Sequence, residues 1–247
     1  MKIRTISVVA LAILISMTAS AEVIRTYASE TKPLGQGFIQ SWVTTDSAGK
    51  PMALGFVFGT AALSGLPGVH TEYMLALPFE VAPFTHIVAD WNPHGHIPAG
   101  IYDVPHFDFH FYMISPEYRS EIIVNDEDMP KFHKAPAAEF LPAGYVMAVP
   151  GGEESRMGMH WIDPSSPEFN GKPFQTTFIY GTYDGQVAFL EPMVAMTFLK
   201  AEKHFSAPIK QPQAYETAGY YPTRYAVRYD AARDRYYVAL QGLAYSR

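Results

Sequence analysis

The chain has 247 residues, of which 48% are hydrophobic, 14% aromatic and 17% charged, and it contains no cysteine. The lack of cysteine excludes disulfides, thiolate metal sites and thiol catalysis. A net charge of −6 lacks the basic footprint that nucleic acid requires, so we expect no nucleic-acid partner. The 20 prolines and 18 glycines favour short strands joined by many turns.

The N-terminus has the three parts of a secretory signal. Lys2 and Arg4 precede an apolar run over residues 6–15, and Ala19-Ser20-Ala21 provides the small residues that signal peptidase reads. This pattern predicts cleavage after Ala21, a mature chain of net charge −8 without Lys2 and Arg4, and a periplasmic or secreted location. The apolar run is shorter than the about 20 residues of a membrane span, so we expect no membrane anchor.

Taken in chain order, the hydrophobic pattern predicts many strands and two short helices. The predicted strands are 37–45, 52–58, 70–77, 86–91, 106–113, 145–149, 157–162, 174–183, 186–190, 225–229 and 236–240. One helix is predicted from Ser115 to about Val124, with Ser115 as N-cap and Pro116 at the first helical position, and another at Pro192–Lys200. The absence of a βαβ rhythm predicts a single mainly β domain over residues 22–247, an antiparallel barrel or sandwich with one or two short helices.

The most informative segment is the strand His106-Phe107-Asp108-Phe109-His110-Phe111-Tyr112. Alternate side chains of a strand share a face, so the three phenylalanines are expected to enter the core. The opposite face then carries His106, Asp108, His110 and Tyr112. Such side chains are typical of a cleft or barrel interior that holds something polar, whereas a solvent-facing strand usually carries Lys, Thr, Glu or Ser.

The spacing along this strand limits how its residues share an ion. Neighbours on one face are about 6.6 Å apart, and positions four apart are about 13 Å apart. Asp108 can therefore share a metal with either His106 or His110, whereas both histidines meet one ion only if the strand twists or bulges. Asp108 can instead accept a hydrogen bond from a ligating imidazole and fix its tautomer.

Further ligands are expected from other segments. His94-Gly95-His96 lies on the preceding loop, and His160 and Glu191 are polar residues in apolar strands. We predict His106, His110, His160 and Glu191 as metal ligands, with His96 and Asp108 as further ligands or supporting groups. Imidazole and carboxylate ligands suit a borderline divalent ion, and zinc is the leading candidate.

Several of these segments together resemble a known family. The segments are Trp91-Asn92-Pro93, Gly95-His96, Pro105 to Tyr112, Gly158-Met159-His160-Trp161 and Glu191-Pro192-Met193. They resemble a family of exported bacterial proteins of unknown function that is named after a Thermus protein (the TTHB-type domain), over about Pro51 to Leu199. The resemblance implies that the six candidate residues belong to the family's motifs, which do not include His94. It implies no activity.

The sequence leaves three functional classes open. The first is an exported metalloprotein. If it is an enzyme, we expect a metal-dependent hydrolase or lyase, with Asp108 or Tyr112 as the acid/base residue. The second is a non-catalytic periplasmic protein that binds a small molecule or a metal. The third is a structural homo-oligomer whose buried His/Asp network only orders the core. Lone histidines such as His70, His86, His133 and His204 are interpreted as structural.

Overall fold

The computed structural model describes residues 23–247, and the predicted signal at residues 1–21 lies outside them. The strands are β1 Arg25–Ala28, β2 Lys32–Leu34, β3 Gly37–Thr45, β4 Pro51–Gly59, β5 Thr71–Val81, β6 Phe84–Asn92, β7 His106–Tyr112, β8 Val146–Met147, β9 Glu153–Glu154, β10 Gly158–Ile162, β11 Thr176–Tyr183, β12 Gln186–Ala195, β13 Phe205–Pro208, β14 Gly219–Tyr221, β15 Arg224–Asp230, β16 Arg235–Gln241 and β17 Ala244–Ser246. The α-helices are α1 Pro116–Glu121, α2 Met129–Phe132 and α3 Met196–Lys200. Among the described residues, no helix has the length and apolar character needed to cross a membrane.

The strands form two large antiparallel sheets and a small one. The first sheet has the order β1-β3-β4-β16-β15-β13 with β2 beside β3, and the second has the order β5-β6-β7-β12-β11-β10-β8 with β9 beside β10. A separate pair is formed by β14 and β17. The predicted mainly β antiparallel fold is confirmed, as a sandwich and not a closed barrel, and with three short helices in the described chain.

The core between the two sheets is rich in phenylalanine. The ring of Phe56 on β4 lies 5.0 Å from that of Phe109 on β7, and Phe58 stacks on Phe109 at 6.1 Å. Phe107 and Phe111 pack on the same β4 side chains and are fully buried. The alternation of β7 therefore turns its phenylalanines into the sandwich, as predicted, and its polar side chains toward the other face of the second sheet.

That other face is covered by the chain between β7 and β10. Ile122, which follows α1, and Phe132 of α2 are buried in a second apolar cluster with Tyr112 and Phe189 of the sheet. The cluster seals one end of the face, and the loop between β6 and β7 approaches the other end. The polar face of β7 is consequently buried, and every residue of this strand is buried.

The helices differ in detail from the predicted ones. Ser115 is the N-cap of α1, with its hydroxyl accepting from the Tyr118 N–H, but α1 ends at Glu121 rather than near Val124. The helix predicted from Pro192 begins only at Met196, because residues 192–195 continue β12, with 192–194 paired to β11 and Ala195 paired to His106 of β7. Strand pairing on a buried sheet overrides the local helical pattern. Glu191, predicted at a strand end, therefore lies within a strand.

Candidate metal centre

The candidate site lies on the face of the second sheet that points away from the sandwich core. In the antiparallel register, Asp90 of β6 is opposite Asp108 of β7, and Asn92 is opposite His106. On the other side of β7, β12 contributes Glu191, and β10 contributes His160 across β11. The neighbouring strands β6, β7 and β12, together with β10 beyond β11, thus direct polar side chains into one buried layer. Burial is the reason that each of these groups needs a partner.

One set of three side chains joins β7 to the loop before it. We call His96, His106 and Asp108 the outer group. The Nε2 atom of His96 lies 3.3 Å from Asp108 Oδ2, and Nε2 of His106 lies 3.1 Å from Asp108 Oδ1. The two Nε2 atoms are 3.0 Å from each other. His106 and Asp108 are buried, and the His96 side chain is 38% exposed, so the outer group reaches solvent through His96.

A second set of three side chains lies deeper and joins three strands. We call His110, His160 and Glu191 the inner group. The Oε2 atom of Glu191 lies 3.6 Å from Nε2 of His110 and 3.5 Å from Nε2 of His160. All three are buried or nearly so, with the Glu191 side chain 1% exposed. Among the described residues, Oε2 of Glu191 and Nε2 of His110 have no hydrogen-bond partner.

All four imidazoles have their Nδ1 atoms close to fixed oxygens, and in three of them the oxygen is a main-chain carbonyl. Nδ1 of His96 donates to the carbonyl of Ile97 at 2.8 Å, that of His106 to the carbonyl of Val104 at 2.6 Å, and that of His160 to the carbonyl of Gly152 at 2.8 Å.

The fourth, Nδ1 of His110, lies 2.8 Å from Asp90 Oδ2 without the alignment of a regular hydrogen bond. Because a carbonyl only accepts, Nδ1 carries a proton in His96, His106 and His160, and the neutral form of each of these rings has its lone pair on Nε2.

The charges of the outer group depend on one another. Burial opposes ionisation of Asp108, but the charges and hydrogen bonds of His106 and His96 outweigh it and hold the pKa of Asp108 well below its usual range. Burial likewise opposes a charge on His96, but Asp108 raises the pKa of His96 to about 9. Without a metal, the outer group therefore keeps a proton on His96 at neutral pH, next to the ionised Asp108.

The inner group has the opposite character. Burial, reinforced by the negative charges of Asp108 and Asp90, raises the pKa of Glu191 well above its usual value. Burial lowers the pKa of His160 to about 4, so its ring is neutral at pH 7 and its Nε2 lone pair is free. The Nε2 atoms of two imidazoles and an acid that resists ionisation surround a space in which a positive charge would stabilise the ionised carboxylate.

The spacing of the donor atoms fits a small tetrahedral ion. Zinc binds imidazole nitrogen and carboxylate oxygen at about 2.0–2.1 Å, so two ligands of one tetrahedron are about 3.3–3.4 Å apart. The donor contacts of the outer group are 3.0, 3.1 and 3.3 Å, and the two contacts to Glu191 in the inner group are 3.5 and 3.6 Å. Each group offers three ligands, which leaves one position of a tetrahedron open, as in catalytic zinc sites.

A cavity of about 570 Å³ touches both groups. His96 and Asp108 of the outer group and His160 of the inner group line it, together with His70 and Asn92. Its other walls come from the loop after His96 and from the segment between β8 and β10. This volume is within the usual range of small-molecule sites.

The predicted site residues are thus brought to one place but divided between two groups. His106 lies with His96 and Asp108, whereas His110 lies with His160 and Glu191, so the four predicted ligands do not surround one point. His94 belongs to neither group in the described chain. The hydroxyl of Tyr112 donates to the Arg156 carbonyl at 3.3 Å and is not part of the cavity wall, so Asp108 is the predicted acid/base residue that reaches the cavity.

Three supporting residues were missed by the sequence analysis. Asp90 contacts His110 and also lies 3.4 Å from Nε2 of His70, and Asn92 donates to Asp108 Oδ2 at 2.7 Å. Asp90 carries the same signal that singled out Glu191, an acid within an apolar strand. His70 is interpreted as structural from the sequence, because it does not lie near other histidines in the chain. In the structure, however, it lines the cavity.

The chain is similar to a described family over part of its length. Residues 46–91 match the family model TTHB210-like, described as hypothetical protein TTHB210. This match confirms the expected resemblance to a family named after a Thermus protein, and the description names no activity. Comparisons with curated proteins and with solved structures gave no match. The matched segment contains Asp90 but none of the six donor residues, so any functional argument depends on the geometry.

Proposed function

We propose that the protein is an exported metal-binding protein that holds divalent ions, preferably zinc, in the inner and outer groups beside a small-molecule cavity. The observation that carries the proposal is the orientation of the four imidazoles. Each has its Nδ1 against a fixed oxygen, and each turns Nε2 toward a carboxylate oxygen at 3.1–3.6 Å. A lone pair facing a carboxylate is repulsive unless a proton or a metal ion lies between them.

Imidazoles oriented through Nδ1, with Nε2 facing a carboxylate, support metal binding more than a purely structural network. Ligating histidines commonly donate their second nitrogen to a carbonyl or carboxylate, which fixes the ring and strengthens the ligand. A structural network would be expected to satisfy its buried atoms internally, whereas Oε2 of Glu191 lacks a partner among the described residues. Two imidazoles to one carboxylate in each group favour zinc, iron, nickel or copper over calcium and magnesium, which prefer all-oxygen sites.

The cavity supports a role in which the ion meets another molecule. A divalent ion with an open position would act as a Lewis acid toward an oxygen of that molecule. The chain itself would hold the molecule through Asn92 and His70 and would keep Asp108 ionised through its two histidine neighbours. If the protein is an enzyme, hydrolase or lyase chemistry fits these groups. If it is a binder, the same cavity holds the molecule without turnover.

Metal content tests the proposal directly. The mature protein, purified without a polyhistidine tag and loaded with zinc, is expected to retain about two ions per chain after removal of free metal. His110→Ala and His106→Ala should each lose one ion. His133→Ala is the matched control, because His133 pairs with Glu153 on the surface at 2.7 Å, outside both groups. A wild-type chain that retains no zinc, nickel, copper or manganese would overturn the proposal.

A further inference from the structure

We propose that the cavity binds a small amphiphile whose anionic oxygen head reaches the two metal groups and whose apolar body lies along the apolar part of the lining. This inference rests on the proposed function, because the head is assigned to the bound ions. It goes beyond that function by naming the chemical class of the ligand. The observations that carry it are a cavity lining that joins the polar donor residues to a larger apolar surface, and the exposed apolar side chains at the mouth.

One wall of the cavity is polar. It is formed by His96, Asp108, Asn92 and His160, which belong to the second sheet or to the loop before β7. Two divalent ions in the inner and outer groups would add four positive charges beside three buried carboxylates, those of Asp90, Asp108 and Glu191. One positive charge would remain in excess. An anionic oxygen ligand is therefore the head group that this wall of the cavity favours.

The rest of the cavity lining is mostly apolar. It includes Pro98, Pro150, Met157, Ile162 and Ile179. They come from the loop between β6 and β7, from the segment between β8 and β10, and from the sheet itself. Contact between these side chains and a hydrocarbon chain is favourable, because it removes apolar surface from water. The same side chains offer no hydrogen bond to a sugar, a phosphate or a nucleotide base edge.

The mouth is bordered by two large apolar side chains that face solvent. Ile97 is 53% exposed and Val149 is 52% exposed, and both line the cavity. The loops that carry them meet there, since a Cβ at Gly151 would overlap the Ile97 side chain. Glu154 is also at this edge and is exposed, so water screens its charge. Clustered exposed apolar side chains beside a cavity mark a place where an apolar group binds.

The test is a series of straight-chain alkanoates measured by calorimetry on the zinc-loaded protein. From butanoate to octanoate, we expect the affinity to rise about fourfold for each added methylene, the value that burial of one methylene supplies. Octan-1-ol should bind more weakly than octanoate, because it lacks the anionic head. Zinc-free protein should bind octanoate at least tenfold more weakly than the loaded protein.

Variants at the mouth separate the two parts of the ligand. Ile97→Ser and Val149→Ser should each weaken octanoate severalfold and leave acetate unchanged. Ile123→Ser is the matched control, since Ile123 is 55% exposed and is not part of the cavity. Equal affinity for alkanoates of all chain lengths would show that no apolar body is bound. Equal affinity for octanoate with and without zinc would show that the head group is not bound by the metal. Stoichiometric zinc with no alkanoate binding would overturn this inference alone, whereas loss of zinc binding would overturn both proposals.

Discussion

The Nε2 atoms of His96 and His106 lie 3.0 Å apart, while the Nδ1 atom of each ring donates to a main-chain carbonyl. Two neutral rings in this arrangement would point lone pairs at each other. A proton or a metal ion must therefore lie between them, and Asp108 contacts both nitrogens. The same competition between proton and metal explains why metal affinity at such sites depends on pH.

The first prediction concerns that proton. In the metal-free protein, His96 should titrate near pH 9, because Asp108 raises its pKa to about 9 against the opposing effect of burial. Asp108→Asn removes the negative charge, so burial then dominates and the pKa of His96 should fall below the ordinary value of about 6.5. Nuclear magnetic resonance of the imidazole measures both values. An unchanged pKa in the variant would contradict the arrangement of the outer group.

The second prediction concerns stability against pH in the metal-free protein. Burial raises the pKa of Glu191 in the folded state, so its contribution to stability is fully present below the unfolded pKa of about 4.5 and is lost as pH rises through the folded pKa. As pH rises from about 4.5 to the folded pKa, wild-type protein should therefore lose stability relative to Glu191→Gln, as measured by urea unfolding. Bound zinc should restore the stability of the wild-type protein at high pH, and it should raise the stability of the variant by less.

The third prediction concerns Asp90. Its carboxylate lies 2.8 Å from Nδ1 of His110, so it holds the ring whose other nitrogen belongs to the inner group. Asp90→Asn should weaken zinc binding at the inner group by about 10–100-fold, the usual effect of removing such a partner. Competition with a fluorescent chelator measures this affinity. Asp163→Asn is the control, since Asp163 pairs with Lys210 at 2.6 Å away from both groups, and an equal loss there would show that the effect is not local.

The fourth prediction concerns Gly181, which lies between the strands that carry His160 and Glu191. A Cβ at this position would overlap the ring of Phe189, and that ring packs 4.8 Å from His110 and 5.2 Å from His160. Gly181→Ala should destabilise the fold by about 1–3 kcal/mol and weaken zinc binding, because the displaced ring pushes on both ligands.

Gly68→Ala serves as the control for this substitution, because a Cβ there meets nothing within 4 Å. Chemical denaturation of the two variants, each with and without zinc, separates the effects. Equal stability of both variants would show that Phe189 adapts freely and does not position the ligands.

The sequence predicted the faces of β7 correctly, because a two-residue period is a local property of a strand. It could not predict how the six candidate residues divide into two groups. That division depends on the register of β7 against β6 and β12, and on the positions of the Val104 and Gly152 carbonyls, which are set by loops distant in sequence.

The segment after Glu191 shows the same limit. Pro192 has no N–H to donate, and the pairing of β12 with β7 runs through Leu190–Phe111 and resumes at Met193–Asp108. A proline next to an apolar run with helical spacing predicts a helix start, but both neighbouring strands were available to pair with this segment. The long-range pairing, which no local pattern reveals, extends the strand to Ala195.

The most direct test of metal binding is a crystal structure of the zinc-loaded mature protein, with an anomalous difference map recorded at the zinc absorption edge. We predict one peak within about 2.0–2.1 Å of the Nε2 atoms of His110 and His160 and of a Glu191 oxygen, and a second peak at the same distances from the outer group. Peaks confined to surface histidines such as His133, with both groups free of anomalous density, would contradict the account.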